Sequence, residues 1–480
     1  MPAISEALRP TGVELLWIID VYPLVLAGLL IPMGALGDRY GRRRILLIGA
    51  IGFALVSAVA EFAPTASWLI AARAATGLFG SMLLPATLAL IRVIFSEARD
   101  RRLAIAIWSA VFSGGAAAGP IVGGMLLEWF GWTAILLIGA PIALLFALLA
   151  PWLVPESRDP DAGPVDLASA LLAIATMVAL VYGVKSLATG GEPLLAAGAL
   201  LASGLLGWWF ARRQRALAQP MLDLTLFRTP AFSGGLLINI LSNAAIVGMM
   251  FMATQHLQVV SGIAPTLAGL ALLPGTIMAI VSSLSVPVIA DRIGSRRAEI
   301  VAFAVATAGF AVVAVWGAST AAWPFIVGLA VLGAGLGIAW TVSTDLVISS
   351  APVAKAGAAS AASETGFEIG VVFGTAAIGG LTTALYQAFF AVPAGVPAAD
   401  ADAARETIGA AAAIAESLGG PAGAGLRDAA VAAFTQAERW TSIGVALVLL
   451  AATLVLAVTG RTRRVRRRRP IGPVHPRDAE

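Results

Sequence analysis

The sequence contains no cysteine and only two histidines, His256 and His475, in 480 residues. A disulfide framework, a thiolate metal site and a cysteine nucleophile are thereby excluded, and a histidine-built metal cluster has too few ligands. Charge is scarce as well. Lys, Arg, Asp and Glu make up 12% of the chain, against about 25% in an average soluble domain. Hydrophobic residues reach 59% and mean hydropathy is +0.91. No soluble fold has enough interior to hide that much apolar surface. Cytosolic enzymes, nucleic-acid binders and disordered scaffolds are ruled out, and the expected solvent is a bilayer. The basic pI, near 9.9, fits this reading because the arginines sit between apolar runs and mark topology rather than a nucleic-acid site.

What is abundant is long apolar segments. A helical crossing needs about 20 residues, and thirteen runs qualify: 15–36, 45–64, 67–95, 103–128, 132–154, 165–187, 193–212, 231–255, 265–290, 299–318, 323–349, 358–387 and 441–460. They do not alternate in polarity, so helices and not barrel strands are expected. The connections near 40, 98, 160, 220, 293 and 353, and the tail from Arg461 to Arg469, carry the basic residues. By the positive-inside rule these are cytoplasmic, in a multi-pass protein of the inner (plasma) membrane with its C-terminus inside. Lys185 is one exception to the alternation. Nothing at the N-terminus reads as a cleavable signal. Residues 388–437 form a long exterior connection in which 401–418 and 424–439 are candidate short helices.

An internal repeat organises the chain. After the first run comes Gly37-Asp38-Arg39-Tyr40-Gly41-Arg42-Arg43-Arg44, and after the ninth comes Asp291-Arg292-Ile293-Gly294-Ser295-Arg296-Arg297. Each places an acid at a helix end, a turn glycine three residues on, and then arginines. Two copies suggest two parallel halves. The third run holds Arg73-Ala-Ala-Thr-Gly77, and the fourth holds Gly115-Ala-Ala-Ala-Gly119-Pro120-Ile-Val-Gly123-Gly124.

The Asp-Arg-x-Gly-Arg-Arg turn resembles the loop signature of the major facilitator superfamily, and the resemblance extends over nearly the whole chain. The glycine ladder resembles that family's antiporter motif. Glu14 to Tyr22, and the stretch from Ala356 to Gly370, resemble spans of quaternary-ammonium and methyl-viologen exporters. The resemblance implies two pseudo-symmetric bundles plus two inserted helices, the layout of fourteen-span drug:proton antiporters. Residues 1–155 would be the N-terminal bundle and 156–230 the inserted pair with a cytoplasmic loop. Residues 231–460 would be the C-terminal bundle, and 461–480 a basic tail that binds anionic lipid. The loop copies lie eight runs apart where a twelve-span member has six, and the first half shows five spans. The expectation is therefore that one more span precedes Met1.

The same residues suggest roles. Glu364 and Glu368, spaced i, i+4, share a helix face. With Asp20 and Asp345 they are intramembrane carboxylates, which by default mark an ion path; capping of a helix near 358, or reach to an interface for Asp20, are the plainer readings. Asp38, with Arg39, Gly41 and Arg42, reads either as a solvated cap or, by the resemblance, as a latch that pairs across the two halves in one conformer; Asp291 and Arg292 repeat it more weakly. Arg73, about 9 Å inside its helix, needs a buried partner unless it snorkels outward. Gly115, Gly119 and Gly123 fall on one face and allow close helix approach, with Pro120 bending the helix and Gly124 extending the motif. His256 reads as a polar interfacial anchor. Met249, Met250, Met252 and Phe251 either pack or line an adaptable pocket. The expected activity is proton-coupled export of amphipathic, cationic drugs; export of a self-made metabolite, a membrane enzyme or a sensor are the alternatives. Expected partners are the substrate, protons and lipid, with no nucleic acid, cofactor or metal, and the chain as a monomer.

Overall fold

The computed structural model describes residues 8, 12–159, 166–188 and 192–459. Among these, twelve helices are long and apolar enough to cross a bilayer, and the remaining run, 103–128, lies on one continuous helix, Ala98–Phe130. In chain order the helices are α1 Gly12–Tyr40, α2 Arg42–Ala60, α3 Ala66–Ile94, α4 Ala98–Phe130, α5 Trp132–Leu153, α6 Leu167–Ala188 and α7 Pro193–Ala216. They continue with α8 Pro230–Val260, α9 Pro265–Ile293, α10 Ser295–Trp316, α11 Trp323–Ser349 and α12 Val353–Phe389. Two short helices, α13 Ala398–Glu406 and α14 Ile408–Leu418, precede α15 Gly420–Thr459. The thirteen apolar runs thus become thirteen helices. The basic tail lies outside the described residues.

The repeat is structural. Helices α1–α5 correspond to α9–α12 and α15, and the two sets cross in the same way. Helix α4 of the first half packs on α9 and α11, while α12 of the second packs on α1 and α3. Both loop copies turn on their glycine: Gly41 has φ 110° and Gly294 φ 82°, a region that strains any residue with a Cβ. Helix α11, the most buried, anchors the second half with α9 and α10. The inserted pair, α6 and α7, packs mainly on itself and on α1. Arg213 of α7 grips Asp166 at the start of α6 with two bonds, 2.5 and 3.0 Å, and this holds the carboxyl well below its usual range.

The exterior segment differs from expectation. Residues 424–439 are not a separate helix: α15 runs unbroken for 40 residues, about 60 Å, so the last span emerges and continues outward. Its outer half joins α13 and α14 in a helical cap with its own apolar core, including Val260, Tyr386, Ile408, Leu426 and Phe434. The alanine- and glycine-rich composition that suggested a loose connection instead permits close helix packing.

Candidate transport site and inter-half latch

At the arginine-rich end, the two halves are tied at three places. The carboxylate of Asp38, at the end of α1, accepts from Arg42 Nε at 2.9 Å and Nη2 at 2.6 Å. It also accepts from the backbone N–H groups of Gly357 and Ala358, at 2.9 and 3.0 Å. These are free donors at the start of α12, where the helix dipole favours an anion. Arg42, 1% exposed, reaches onward to the carbonyls of Val353 and Ala354, 3.2 and 2.7 Å away. Gly34 and Gly357 bring α1 and α12 together so closely that a Cβ at either would collide with the other helix or with Asp38. Asp291, the repeat's counterpart, meets Arg102 at 2.7 Å and Arg99 at 3.5 Å, in the first turns of α4. Between them, Arg101 of α4 pairs with Asp345 of α11 at 2.6 Å, both buried.

The expected acids therefore divide. Asp38 and Asp291 lie where the loop signature suggested. Asp345, grouped by sequence with the proton carriers, sits instead in a cross-half ion pair. Arg39 stacks on Tyr40 and Arg292 is exposed, so neither joins the contacts that Arg42 makes. The surroundings of Asp20, Pro120 and Gly124 lie outside what the structure describes.

Above this end is a cavity of about 210 Å³ between the halves, lined by Phe112 of α4, Ser242, Asn243 and Met250 of α8, Trp340 of α11 and Phe367 of α12, among others. Aromatic rings form its floor: Phe112, Trp340 and Phe367 line the cavity, and Trp108 packs behind them. Trp108 and Phe112 meet Trp340 and Phe367 with centroids 5.4 to 5.9 Å apart. Glu364 and Glu368 flank Phe367 on α12. Glu364 is buried and Glu368 half-buried. No Lys, Arg or His among the described residues pairs with either. Beside them Asn243 donates to Asn239, and Asn239 to Ser363, at 2.6 and 3.1 Å. Facing them from the first half is Tyr22, within electrostatic reach of both Glu368 and Arg73. Arg73 finds its partner in the carbonyl of Ile18, 3.0 Å away, and the Tyr22 ring. The methionines separate: Met249 and Met252 are core, while Met250 lines the cavity. The aromatic floor and the asparagine pair were not read from the sequence.

The glycine ladder departs from expectation. Gly115 and Gly119 are exposed, Gly123 is half-exposed, and a Cβ on any of the three would meet nothing within 4 Å. The reason lies in how α4 crosses α9. They touch near the arginine-rich end, where Ser283 donates to the Ala106 carbonyl at 3.3 Å, and the last glycine with a neighbour on α9 is Gly114. Beyond it the ladder is unpacked. The halves are closed at the arginine-rich end and parted at the other.

The model of the Major Facilitator Superfamily matches residues 1–375. The chain belongs to that superfamily. It is 45% identical over 461 residues to the multidrug efflux pump LfrA of Mycolicibacterium smegmatis, covering 96% of this chain and 92% of the relative. It is 36% identical to the methyl viologen resistance protein SmvA of Salmonella typhimurium, covering 96% and 94%. Among solved structures, the human organic anion transporter MFSD10 superposes with a TM-score of 0.59 at 15% identity, over 94% of this chain and 87% of that one. The proton:xylose symporter XylE gives 0.57 at 12%, over 94% and 90%. Membership of that superfamily makes this chain a multi-pass membrane transporter of small molecules and not an enzyme.

Proposed function

We propose that this facilitator is a drug efflux pump, coupled to protons, that exports amphipathic cationic compounds by alternating access. The observation that carries the reading is the pair Glu364 and Glu368: intramembrane carboxylates without a basic partner among the described residues, flanking Phe367 of the aromatic-lined cavity between the halves. An unpaired carboxylate in that setting binds either a proton or an organic cation, and exclusive occupancy is what antiport requires. Aromatic faces add cation–π attraction for a lipophilic cation. The name of LfrA gives multidrug efflux and that of SmvA resistance to methyl viologen, an organic dication, which supports the export of such compounds.

In this reading the arginine-rich end is cytoplasmic, the membrane is the inner (plasma) membrane, and the chain acts as a monomer. Asp38, Arg42 and the α12 N-terminus latch the cytoplasmic end shut, with Gly41 as the turn and Asp291, Arg99 and Arg102 as the weaker second copy. Arg101 and Asp345 belong to this latch. Arg73 holds Tyr22 against Glu368. The ladder Gly115, Gly119 and Gly123 is the seam that closes when the cytoplasmic end opens.

The test is ethidium efflux from energised vesicles. Glu364→Gln and Glu368→Gln keep side-chain shape and remove the titratable charge. Each is expected to reduce proton-driven efflux at least tenfold while membrane levels stay unchanged. Substrate-induced proton release that is undiminished in both single variants and in the double variant refutes the assignment.

A further inference from the structure

Outside the transport path lies a buried ionisable pair, His256 and Glu438, that the proposed function does not use. His256 opens the π-helical turn His256–Val260 that ends α8, and Glu438 lies on the outer half of α15. Both side chains are fully buried. Nδ1 of His256 lies 2.8 Å from Glu438 Oε2, and Nε2 lies 3.2 Å from the Ala321 carbonyl, in the α10–α11 connection. The ring rests on Phe325 at 4.4 Å. The other carboxylate oxygen, Oε1, has no partner among the described residues.

Donor and acceptor rules fix the proton count. A carbonyl oxygen only accepts, so Nε2 carries a proton. If Nδ1 and Glu438 were both bare, two lone pairs would face each other at 2.8 Å between fully buried side chains. One further proton must therefore lie between Nδ1 and Oε2, and the pair is neutral overall. With Oε1 bare, the carboxylic acid donating to a neutral imidazole leaves less buried charge unpaired than an imidazolium facing a carboxylate.

We propose that His256 and Glu438 form a second proton-binding site, separate from the Glu364 and Glu368 pair, whose bound proton seats the helical cap on the second half. Both partners are roots of the cap. Val260, four residues after His256, and Phe434 and Ala437, just before Glu438, belong to the cap's apolar core. When the proton leaves for solvent, Glu438 becomes a carboxylate. To donate to it, the imidazole must carry its remaining proton on Nδ1, and the Ala321 carbonyl then loses its donor. The three elements joined by the site come apart as pH rises and close again as it falls. Other groups do not govern the site. Helix α9, the outer halves of α10 and α11 and the connection around Ala321 bear no charged residue facing it. Tyr386 of α12 donates to the Ala404 carbonyl. Glu416 of α14 and Arg427, Asp428 and Arg439 of α15 are exposed.

The two-histidine sequence gives a direct test. With His475→Asn, His256 is the sole imidazole, and nitrogen-15 spectra of the full chain in nanodiscs report its tautomer and charge. The expected result is a neutral Nε2–H ring at neutral pH. A ring protonated on Nδ1 alone, or one that titrates freely with an ordinary midpoint near ~6.5, overturns the proposal. In parallel, the cysteine-free chain accepts a reporter at Ala411, which is fully buried in the cap core. The thiol-labelling rate of Ala411→Cys, divided by that of the same reporter with Glu438→Gln, is expected to rise at least fivefold between pH 6 and 9. A flat ratio refutes the pH-dependent seating. Should Glu438→Gln fail to reach the membrane, the spectra alone decide. Neither measurement involves transport, so failure here is distinct from failure of the efflux reading.

Discussion

Asp38→Asn isolates the energy with which the arginine-rich end is held shut. Four hydrogen bonds cross between the halves at this point: Gly357 N–H and Ala358 N–H to Asp38, and Arg42 to the carbonyls of Val353 and Ala354. Asparagine can still accept with its single oxygen, but its amide would face another donor, so one of the two cross-half bonds to residue 38 disappears. The survivor loses its charge, as does the pair that orients Arg42. A charge-assisted hydrogen bond contributes about 1.5–3 kcal/mol, and leaving a buried charge without its partner costs about 3–5 kcal/mol. Because the Asp38–Arg42 contact lies within one half, part of that cost is common to both conformers. About 3 kcal/mol remains as the conformer-specific share, equal to roughly 100-fold in population.

A buried reporter reads this ratio without knowing its starting value. Ser283 of α9 is 2% exposed and donates to the Ala106 carbonyl of α4 across the interface. Ser283→Cys changes little in volume, and its thiol becomes reactive only when the halves part at this end. If opening precedes labelling, the rate scales with the open population. Asp38→Asn should then raise it on the order of 100-fold, in a protein whose thermal unfolding remains cooperative. A rate within threefold of the parent would show that these bonds exist but do not bias the conformers.

The Arg101–Asp345 pair is expected to behave as a unit: Arg101→Ala and Asp345→Ala should each destabilise the closed conformer, and a double-mutant cycle on the Ser283→Cys reporter should give a coupling above about 1 kcal/mol, whereas additive effects would dissociate the pair from the latch. Gly119→Val should leave stability unchanged, because nothing lies within 4 Å of the added Cβ, yet abolish efflux by wedging the seam in the opposite conformer; full activity would remove the ladder from the cycle. Trp340→Ala removes the ring that touches Trp108, Phe112 and Phe367. It should weaken binding of a planar aromatic cation about tenfold, as expected for the loss of ~1.4 kcal/mol of ring contact, and an unchanged affinity by fluorescence titration would place the substrate elsewhere.

The helices were legible because bilayer length and apolar composition are local properties. Both turn glycines were legible because a positive φ at a helix junction is a one-residue demand. The duplicated acid-glycine-arginine turn went further, since it placed Asp38 and Asp291 at equivalent ends before any contact was known. Partner assignment was not legible. Asp345 and Glu364 look alike in sequence, each an acid in an apolar run, and only the crossing of α4 over α11 supplies Arg101 to one, while the other has no cation among the described residues. His256 reads as an interfacial anchor in the sequence for the same reason: its partner, Glu438, is 182 residues away, in a stretch that reads as a separate short helix of the long connection. In the proposed alternating-access cycle the ladder's lack of neighbours belongs to one conformer, and a sequence that serves two conformers carries no mark of which one is occupied.

The two latch copies are unequal, and the inequality has a mechanistic consequence. Asp38 is buried and its partners across the halves are backbone groups, whereas Asp291 is substantially exposed and its partners are flexible arginines, Arg99 being largely exposed too. Solvent screens the second set, so it contributes little; the closing energy at this end resides on the α1–α12 crossing and on the buried Arg101–Asp345 pair. Glu364 and Glu368 lie on that same α12, and Glu364 is six residues from Ala358, about 9 Å along the axis. A helix of this kind transmits displacement without needing a chain of side-chain contacts. In the proposed mechanism, a change of occupancy at the glutamates, from proton to cation, would shift α12 relative to α1 and act on the bonds that Asp38 makes to the first turn. An alternating transporter must keep its two conformers within a few kcal/mol of each other. The strong latch at one end therefore requires compensation when it breaks, and the unpacked ladder at the other end, with room for close helix approach along Gly115, Gly119 and Gly123, is the surface on which that compensation can form.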